Sequence, residues 1–305
     1  MKTKLLILPG LLLFSGIAAS QNLLEIASGQ MPEPEAKVSA TFKTTRVINA
    51  QTNETVHKRT LDFRVGHRFG NVGSESNGGV HTLYGLDAAT DIRIALEYGI
   101  TDRLMAGVAR YKRYENLEGL VKYRLFEQTN DNKIPVAVTA FANVSFSPER
   151  DVLGIYKIVN EDGSTTSKPL RRMTYCTQLI LARKFSSKFS IAFIPAYVHR
   201  NYVIINEDEN DVFALGAAGR FKITKSTTVI ADYFFNFSQY RRDNSDVYFD
   251  PLGVGFEIET GGHVFTIMFT NAPGILENDF LVNTTDTWEK GGFKFSFNIS
   301  RNFKL

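Results

Sequence analysis

Residues 291–305 read GGFKFSFNISRNFKL. Phe293, Phe295, Phe297, Ile299, Phe303 and Leu305 hold odd positions, while Lys294, Ser296, Asn298, Ser300, Asn302 and Lys304 hold even ones. A period of two sends successive side chains to opposite faces of a β-strand, so this strand has one apolar and one polar face. Alternation alone leaves the direction open. A soluble barrel or sandwich turns the apolar stripe inward; a membrane barrel turns it toward lipid.

The same pattern recurs upstream. It starts with TLDFRVGHRF at 60–69 and returns at 91–100, 102–113, 117–126, 134–146, 175–185, 188–200, 212–223, 227–237, 252–259 and 263–271. Most of these segments run to ten residues or so, the length a tilted strand needs to cross a bilayer, where soluble strands average about five or six. Tight turns around 99–101, 129–133, 186–188, 224–226 and 260–262 alternate with long connections at 70–90, 112–116, 147–172, 200–211, 238–251 and 271–291. Short turns at one end and long loops at the other suit an up-and-down antiparallel transmembrane β-barrel and not a sandwich. With the C-terminus on the periplasmic side, parity makes 60–69 the first of twelve strands. The β-like stretch 36–50 would give thirteen alone, so it is a lead-in, an interior plug, or half of an extra hairpin that makes fourteen.

Composition fits this class. The 305 residues are 43% hydrophobic and 22% charged, with 24 Phe, 12 Tyr and one Trp, and the mean hydropathy is −0.14. MKTKLLILPGLLLFSGIAAS has the basic, apolar and small-residue parts of a secretory signal cleaved after Ser20. Removing Lys2 and Lys4 lowers the formal charge from +3 to +1, which leaves no basic footprint for nucleic acid. After residue 20 no apolar run is long enough for a membrane helix. Cys176 is the only cysteine, so no internal disulfide can form. The domains are therefore a signal peptide at 1–20, an N-terminal leader, plug or extra strand at 21–59, and the barrel at 60–305.

If the apolar face meets lipid, the polar face lines a lumen. That face carries Arg64, Arg68, Arg93, Glu97, Lys122, Arg124, Arg220, Asp232, Glu257, Glu259 and Lys294, together with Asp62, Asp91, Glu118 and Lys222. These are eight basic and seven acidic groups. Mixed signs point to a narrow, salt-bridged interior and not to a strongly ion-selective pore. Tyr111, Tyr114, Tyr197, Tyr202, Phe237, Tyr240, Tyr248 and Phe249 cluster near the long loops, where an interfacial aromatic girdle would sit.

Signals for chemistry are weak. The five histidines lack metal-ligand spacing, and neither HExxH nor GxSxG occurs. His67 and His199 lie near outer strand ends, where a loop-end hydrolase site would form. GNVGSESNGG (70–79) lacks the Lys-Ser/Thr ending of a phosphate loop and reads as a mobile outer loop. The acidic stretches 161–163 and 206–210 do not match an EF-hand and read as solvated loops. No catalytic residue, metal or cofactor is expected.

HRFG (67–70), GLDAATDIRIALEYGITDRL (85–104), GLVKYRL (119–125) and DPLGVGFEIETGGHVFTIMFTN (250–271) carry a resemblance. The chain resembles an uncharacterised family of Bacteroidetes-type outer-membrane β-barrel proteins over most of residues 40–305. The resemblance implies a barrel in the Gram-negative outer membrane and no functional residues. The C-terminus also resembles the outer-membrane assembly signal, carried here by Phe293, Phe295, Phe297, Ile299, Phe303 and Leu305, although the final residue is not aromatic. The expected partners are membrane lipid, lipopolysaccharide and the assembly machinery, with small solutes as cargo. Passive or selective passage of those solutes, porin-like, is the leading functional expectation. A non-conducting barrel that binds an envelope partner through 147–172 and 271–291 is the alternative, and an outer-membrane hydrolase is another.

Overall fold

Twelve antiparallel strands close on themselves in a computed structural model that describes residues 37–305 except 153, 261 and 262. The expected signal peptide and the leader up to residue 36 lie outside the described residues. The strands are β1 (Thr60–Asn71), β2 (Ala89–Gly99), β3 (Leu104–Tyr111), β4 (Leu117–Phe126) and β5 (Ala137–Phe146), then a small hairpin of β6 (Lys157–Val159) and β7 (Thr165–Ser167). They continue with β8 (Met173–Lys184), β9 (Phe189–Arg200), β10 (Asp211–Lys222), β11 (Thr227–Asn236), β12 (Leu252–Thr260), β13 (His263–Thr270) and β14 (Lys294–Lys304). All but β6 and β7 form the barrel, each pairing with its neighbours in sequence order. β1 and β14 make the seam, from Thr60 opposite Lys304 to Arg68 opposite Ser296. Segment 36–50 adds no barrel strand, so the fourteen-strand option falls.

The skin follows from the alternation. Val108 is 60% exposed, Phe213 59% and Ile94 50%, and Leu96, Phe193, Phe256 and Ile267 also point outward. An apolar belt on this scale in contact with water would be unfavourable at about 25 cal/mol per Å², whereas lipid solvates it. On β14, Lys294 and Ser296 are buried while Phe295 and Phe297 sit half-buried on the opposite face.

The interior differs from the expected polar lumen in one sector. On β8 to β11 the inward face is largely apolar, with Cys176, Ile180, Ile194, Val198, Ala214 and Ile230 buried among a few polar residues such as Gln178, Thr228 and Asp232. Inward side chains from β1 to β4 and from β12 to β14 are mostly polar or charged. An interior packed with protein instead of water tolerates an apolar sector, and two segments supply that packing. Tyr111 likewise leaves the expected aromatic girdle and points inward, because its hydroxyl donates to Glu118 Oε2 at 2.6 Å. The 70–79 loop is pinned instead of free: Gly73 N donates to Gly291 O at 2.8 Å and Val72 N to Phe293 O at 2.9 Å.

Candidate functional site

The first filling segment is residues 41–56, buried inside the barrel except at Lys43, Thr44 and Glu54. Thr45–Thr52 forms a tight hairpin closed by Thr52 N to Thr45 O at 3.0 Å and Val47 N to Ala50 O at 2.9 Å. A chain with so little sheet pairing needs its main-chain groups satisfied by the wall. Asp232 on β11 does this at the tip, accepting from the amides of Ile48 (3.3 Å), Asn49 (2.6 Å) and Ala50 (2.8 Å), and from Asn49 Nδ2 (2.8 Å). Lys122 on β4 does it at the base, donating to the carbonyls of Thr45 (2.8 Å), Thr52 (3.1 Å) and Glu54 (3.3 Å). Thr139 on β5 donates to Asn53 O at 3.2 Å. Gly253 on β12 leaves room for the tip, since a Cβ there would lie 2.6 Å from Ile48 Cγ2.

The second filling segment is the β13–β14 connection, which folds into the barrel from the long-loop end. Residues 271–282 are buried without exception, including most of the helix Glu277–Asn283. With the helix Gln239–Asp243 in the β11–β12 loop named α1, this one is α2. Phe280 packs edge-on against Phe234 of β11 with ring centroids 5.3 Å apart, and Leu281 and Val282 join the same apolar sector. Polar ties hold the main chain: Asp91 Oδ2 accepts from Ile275 N at 2.9 Å, Arg241 Nε of α1 donates to Val282 O at 2.8 Å, and Arg113 Nε meets Asp279 at 2.7 Å.

Plug and insert meet at mid-barrel. Arg46 of the plug contacts Glu277 of the insert at 2.6 Å, both side chains almost wholly buried. Arg46 also donates to Ile275 O at 3.1 Å, and Gln51 Nε2 to Glu277 at 2.8 Å. Arg68 bridges the two, donating to Asn49 Oδ1 of the plug at 2.6 Å and to Ala272 O of the insert at 2.9 Å. A wall network backs this junction: Arg93 meets Glu97 at 2.9 Å and Glu118 at 3.5 Å, and Asn143 Nδ2 donates to Glu118 at 2.8 Å and to Glu277 at 3.3 Å.

Of the residues expected to line a lumen, Arg64, Arg68, Arg93, Glu97, Lys122, Asp232, Glu257 and Lys294 are buried in the interior. Arg124 and Arg220 are half-buried, Arg124 beside Glu54 (3.4 Å) and Glu127 (3.1 Å), Arg220 beside Glu257 (3.4 Å). Glu259 is exposed at the short-turn rim and pairs with Lys43 at 2.6 Å. There a cavity of about 510 Å³ opens beneath the plug, lined by Lys43, Glu54, His57, Arg64, Arg124 and His263 among others. In the C-terminal stretch, Phe293, Phe295, Phe297 and Ile299 are half-buried, while Phe303 and Leu305 are 40% and 70% exposed.

The two histidines expected near a hydrolase site are not brought together. His67 lies on the apolar skin, its ring stacked on Phe297 with centroids 5.5 Å apart. His199 Nδ1 faces Asp211 Oδ1 at 2.7 Å and its Nε2 faces Asn201 Oδ1 at 3.1 Å. The acidic stretch 206–210 is not simply solvated: Asp208 pairs with Arg200 and Arg241 at 2.9 and 2.8 Å. Burial opposes ionisation of Asp208, but hydrogen bonds from Arg241 and Arg200 outweigh it and hold the carboxyl below its ordinary 3.8.

Arg46, Asn49, Gln51 and Glu277 were not singled out by sequence. The β-like pattern of 36–50 does not say which of its side chains meet the second segment. The insert does carry a short helical signal, with Glu277 and Asp279 in a first turn ahead of Phe280 and Leu281.

An apolar belt around a closed sheet, with charge inside, defines a transmembrane β-barrel, here with its interior filled by its own chain. The chain belongs to the membrane bound beta barrel domain family (DUF5777), which matches residues 42–303 and thus takes in the plug as well as every strand. Among solved structures it is similar to the NanC porin (12% identity, TM-score 0.46, 80% of this chain and 100% of that one). It is also similar to the KdgM porin (8%, 0.44, 81% and 99%) and to an outer membrane channel from Pseudomonas putida F1 (11%, 0.41, 82% and 98%). Among curated protein sequences nothing matches.

Proposed function

We propose that this chain is an outer-membrane barrel for passage of small polar solutes, held shut at rest by the plug and the insert. The carrying observation is that the lumen is filled by two chain segments, the plug and the insert, joined through Arg46 and Glu277. Hydrogen bonds and ion pairs hold most of the plug, and water entering a widened lumen would replace them at small net cost. Opening then means breaking the clamp and sliding the plug toward the periplasm.

Planar-bilayer recording tests this. The wild-type chain is expected to be silent, Arg46→Ala and Glu277→Gln to show ion conductance, and the swapped Arg46→Glu/Glu277→Arg pair to fall silent again. Silence throughout would sink the passage reading. It would support the second reading, a non-conducting barrel, which the filled lumen itself favours. In that case the partner surface is loop 147–172, where Val152 is 81% and Val159 71% exposed, because 271–291 is largely buried inside.

The outer-membrane location carries its own test. The assembly machinery is taken to read the strand that ends Phe303–Lys304–Leu305, so deletion of Arg301–Leu305 is expected to abolish insertion. A truncated chain that still shows heat-modifiable gel mobility and protease protection would count against it. Lipid and lipopolysaccharide are the proposed surroundings of the belt. No catalytic role is proposed for His67 or His199.

A further inference from the structure

Arg46, Arg93 and Arg220 each meet a carboxylate within the lumen. Lys122 and Asp232 form no ion pair among the described residues; their hydrogen bonds go to the plug, and all but one of them to its main chain. The ammonium reads three carbonyls at the base of the hairpin, and the carboxylate reads three consecutive amides at its tip. Going round the barrel, Lys122 on β4 and Asp232 on β11 stand five strands apart one way and seven the other, on nearly opposite walls. Base and tip are separated by three residues of hairpin, about 10 Å at strand rise.

A plug that withdraws strips the ammonium and the carboxylate, on nearly opposite walls, of their hydrogen-bond partners. Each is costly to leave without a partner in a narrow, partly apolar space. We propose that Lys122 and Asp232 recognise a short zwitterionic peptide of about three residues, with Lys122 taking its terminal carboxylate and Asp232 its terminal ammonium. The plug hairpin occupies that site as an internal mimic, its dipoles standing in for the terminal charges. Thr139, which donates to Asn53 O, is placed to read a peptide carbonyl between the two ends. A single amino acid is too short to reach both charges, and a neutral sugar offers hydroxyls but no opposite charge to either. This inference rests on the passage reading for its physiological meaning, but the recognition it describes is measurable without conduction.

The test uses the full chain carrying Asn49→Ala, which weakens the plug tip and leaves both wall charges in place. Tryptic cleavage at Arg46 reports plug release. Trialanine at millimolar concentration is expected to speed that cleavage by about fivefold, as a ligand competing with the plug must. N-acetyl-trialanine amide and maltose are expected to do nothing. Adding Lys122→Met or Asp232→Asn, each checked for heat-modifiable mobility, is expected to remove the trialanine response. Equal responses to all three solutes, no response to trialanine, or a response that survives both wall substitutions would overturn the proposal. Conductance of the loosened chain is recorded in parallel. A trialanine response without conductance defeats the passage reading alone, and conductance without a response defeats the peptide alone.

Discussion

The plug and the insert occupy one lumen, yet different physics holds each. The plug is a hairpin-bearing segment whose main chain is solvated by wall side chains, chiefly Lys122 and Asp232, while Phe42, Val47, Ile48 and Val56 join the apolar cluster. The insert is a helix turned into an apolar sector and anchored by Phe280 against Phe234. Apolar anchorage depends on close-packed contact and is lost when a cavity opens, whereas polar ties exchange readily with water. The plug is therefore the segment suited to leave, and the insert the segment suited to stay.

The largest expected effect sharpens that contrast. Phe280→Ala is expected to cost about 4 kcal/mol through the cavity it leaves. Trp288, the single tryptophan, sits in the same β13–β14 connection with its ring stacked 4.7 Å from Phe293, and its emission is the reporter. An unshifted emission and an unchanged urea midpoint would contradict the anchor role. Next comes Glu277→Gln, which leaves Arg46 a buried charge without its partner and is expected to destabilise by about 3 kcal/mol. Here both reporters should move, with cleavage at Arg46 rising alongside a Trp288 shift. Movement of only one would mean that the two segments are independent.

Gly253→Ala is expected to cost about 1–2 kcal/mol, because the added methyl meets Ile48 and Asp232. It should free the plug for trypsin, with a Trp288 shift smaller than that of Phe280→Ala, and a Trp288 shift as large as that of Phe280→Ala would blur the comparison. The smallest effect is acid-dependent. The Asp208 carboxyl is held below its ordinary 3.8, so the stability it contributes is full above that value and is lost as pH falls through the lower folded value. Asp208 orients Arg241, which in turn holds Val282 of the insert. Below about pH 3.8 the wild-type Trp288 emission should shift, while Asp208→Asn should show the shifted emission at neutral pH and less further change on acidification.

The skin and the strand count were legible because lipid on one side enforces a period of two along Phe293–Leu305 and its eleven partners. The turns were legible for a related reason: short connections such as 186–188 leave few ways to join antiparallel strands. How the lumen is filled was only partly legible: an interior plug at 36–50 was one of three expectations, and the insert was not among them. Asp232 and Lys122 were expected on the inner wall, but nothing in their spacing says that they bind main chain from residues 45–54. The apolar inward residues of β8 to β11 read as ordinary strand residues until Phe280 and Leu281 are seen in the same cluster. Tyr111 misled in the opposite direction, since a tyrosine at a strand end suits an interface until a carboxylate such as Glu118 offers its hydroxyl a buried partner.

The seam between β1 and β14 also sets when the molecule can form. Thr60 pairs with Lys304, so the ring cannot close until β14 meets β1, and roughly 240 residues of intervening chain must be gathered first. Loop-closure entropy for a segment of that length is on the order of 5 kcal/mol and is recovered only when the final ladder zips. Until then both edge strands stand open to any stray partner. Folding of this chain is thus governed by its last step, and the open seam before that step is its moment of greatest exposure to aggregation.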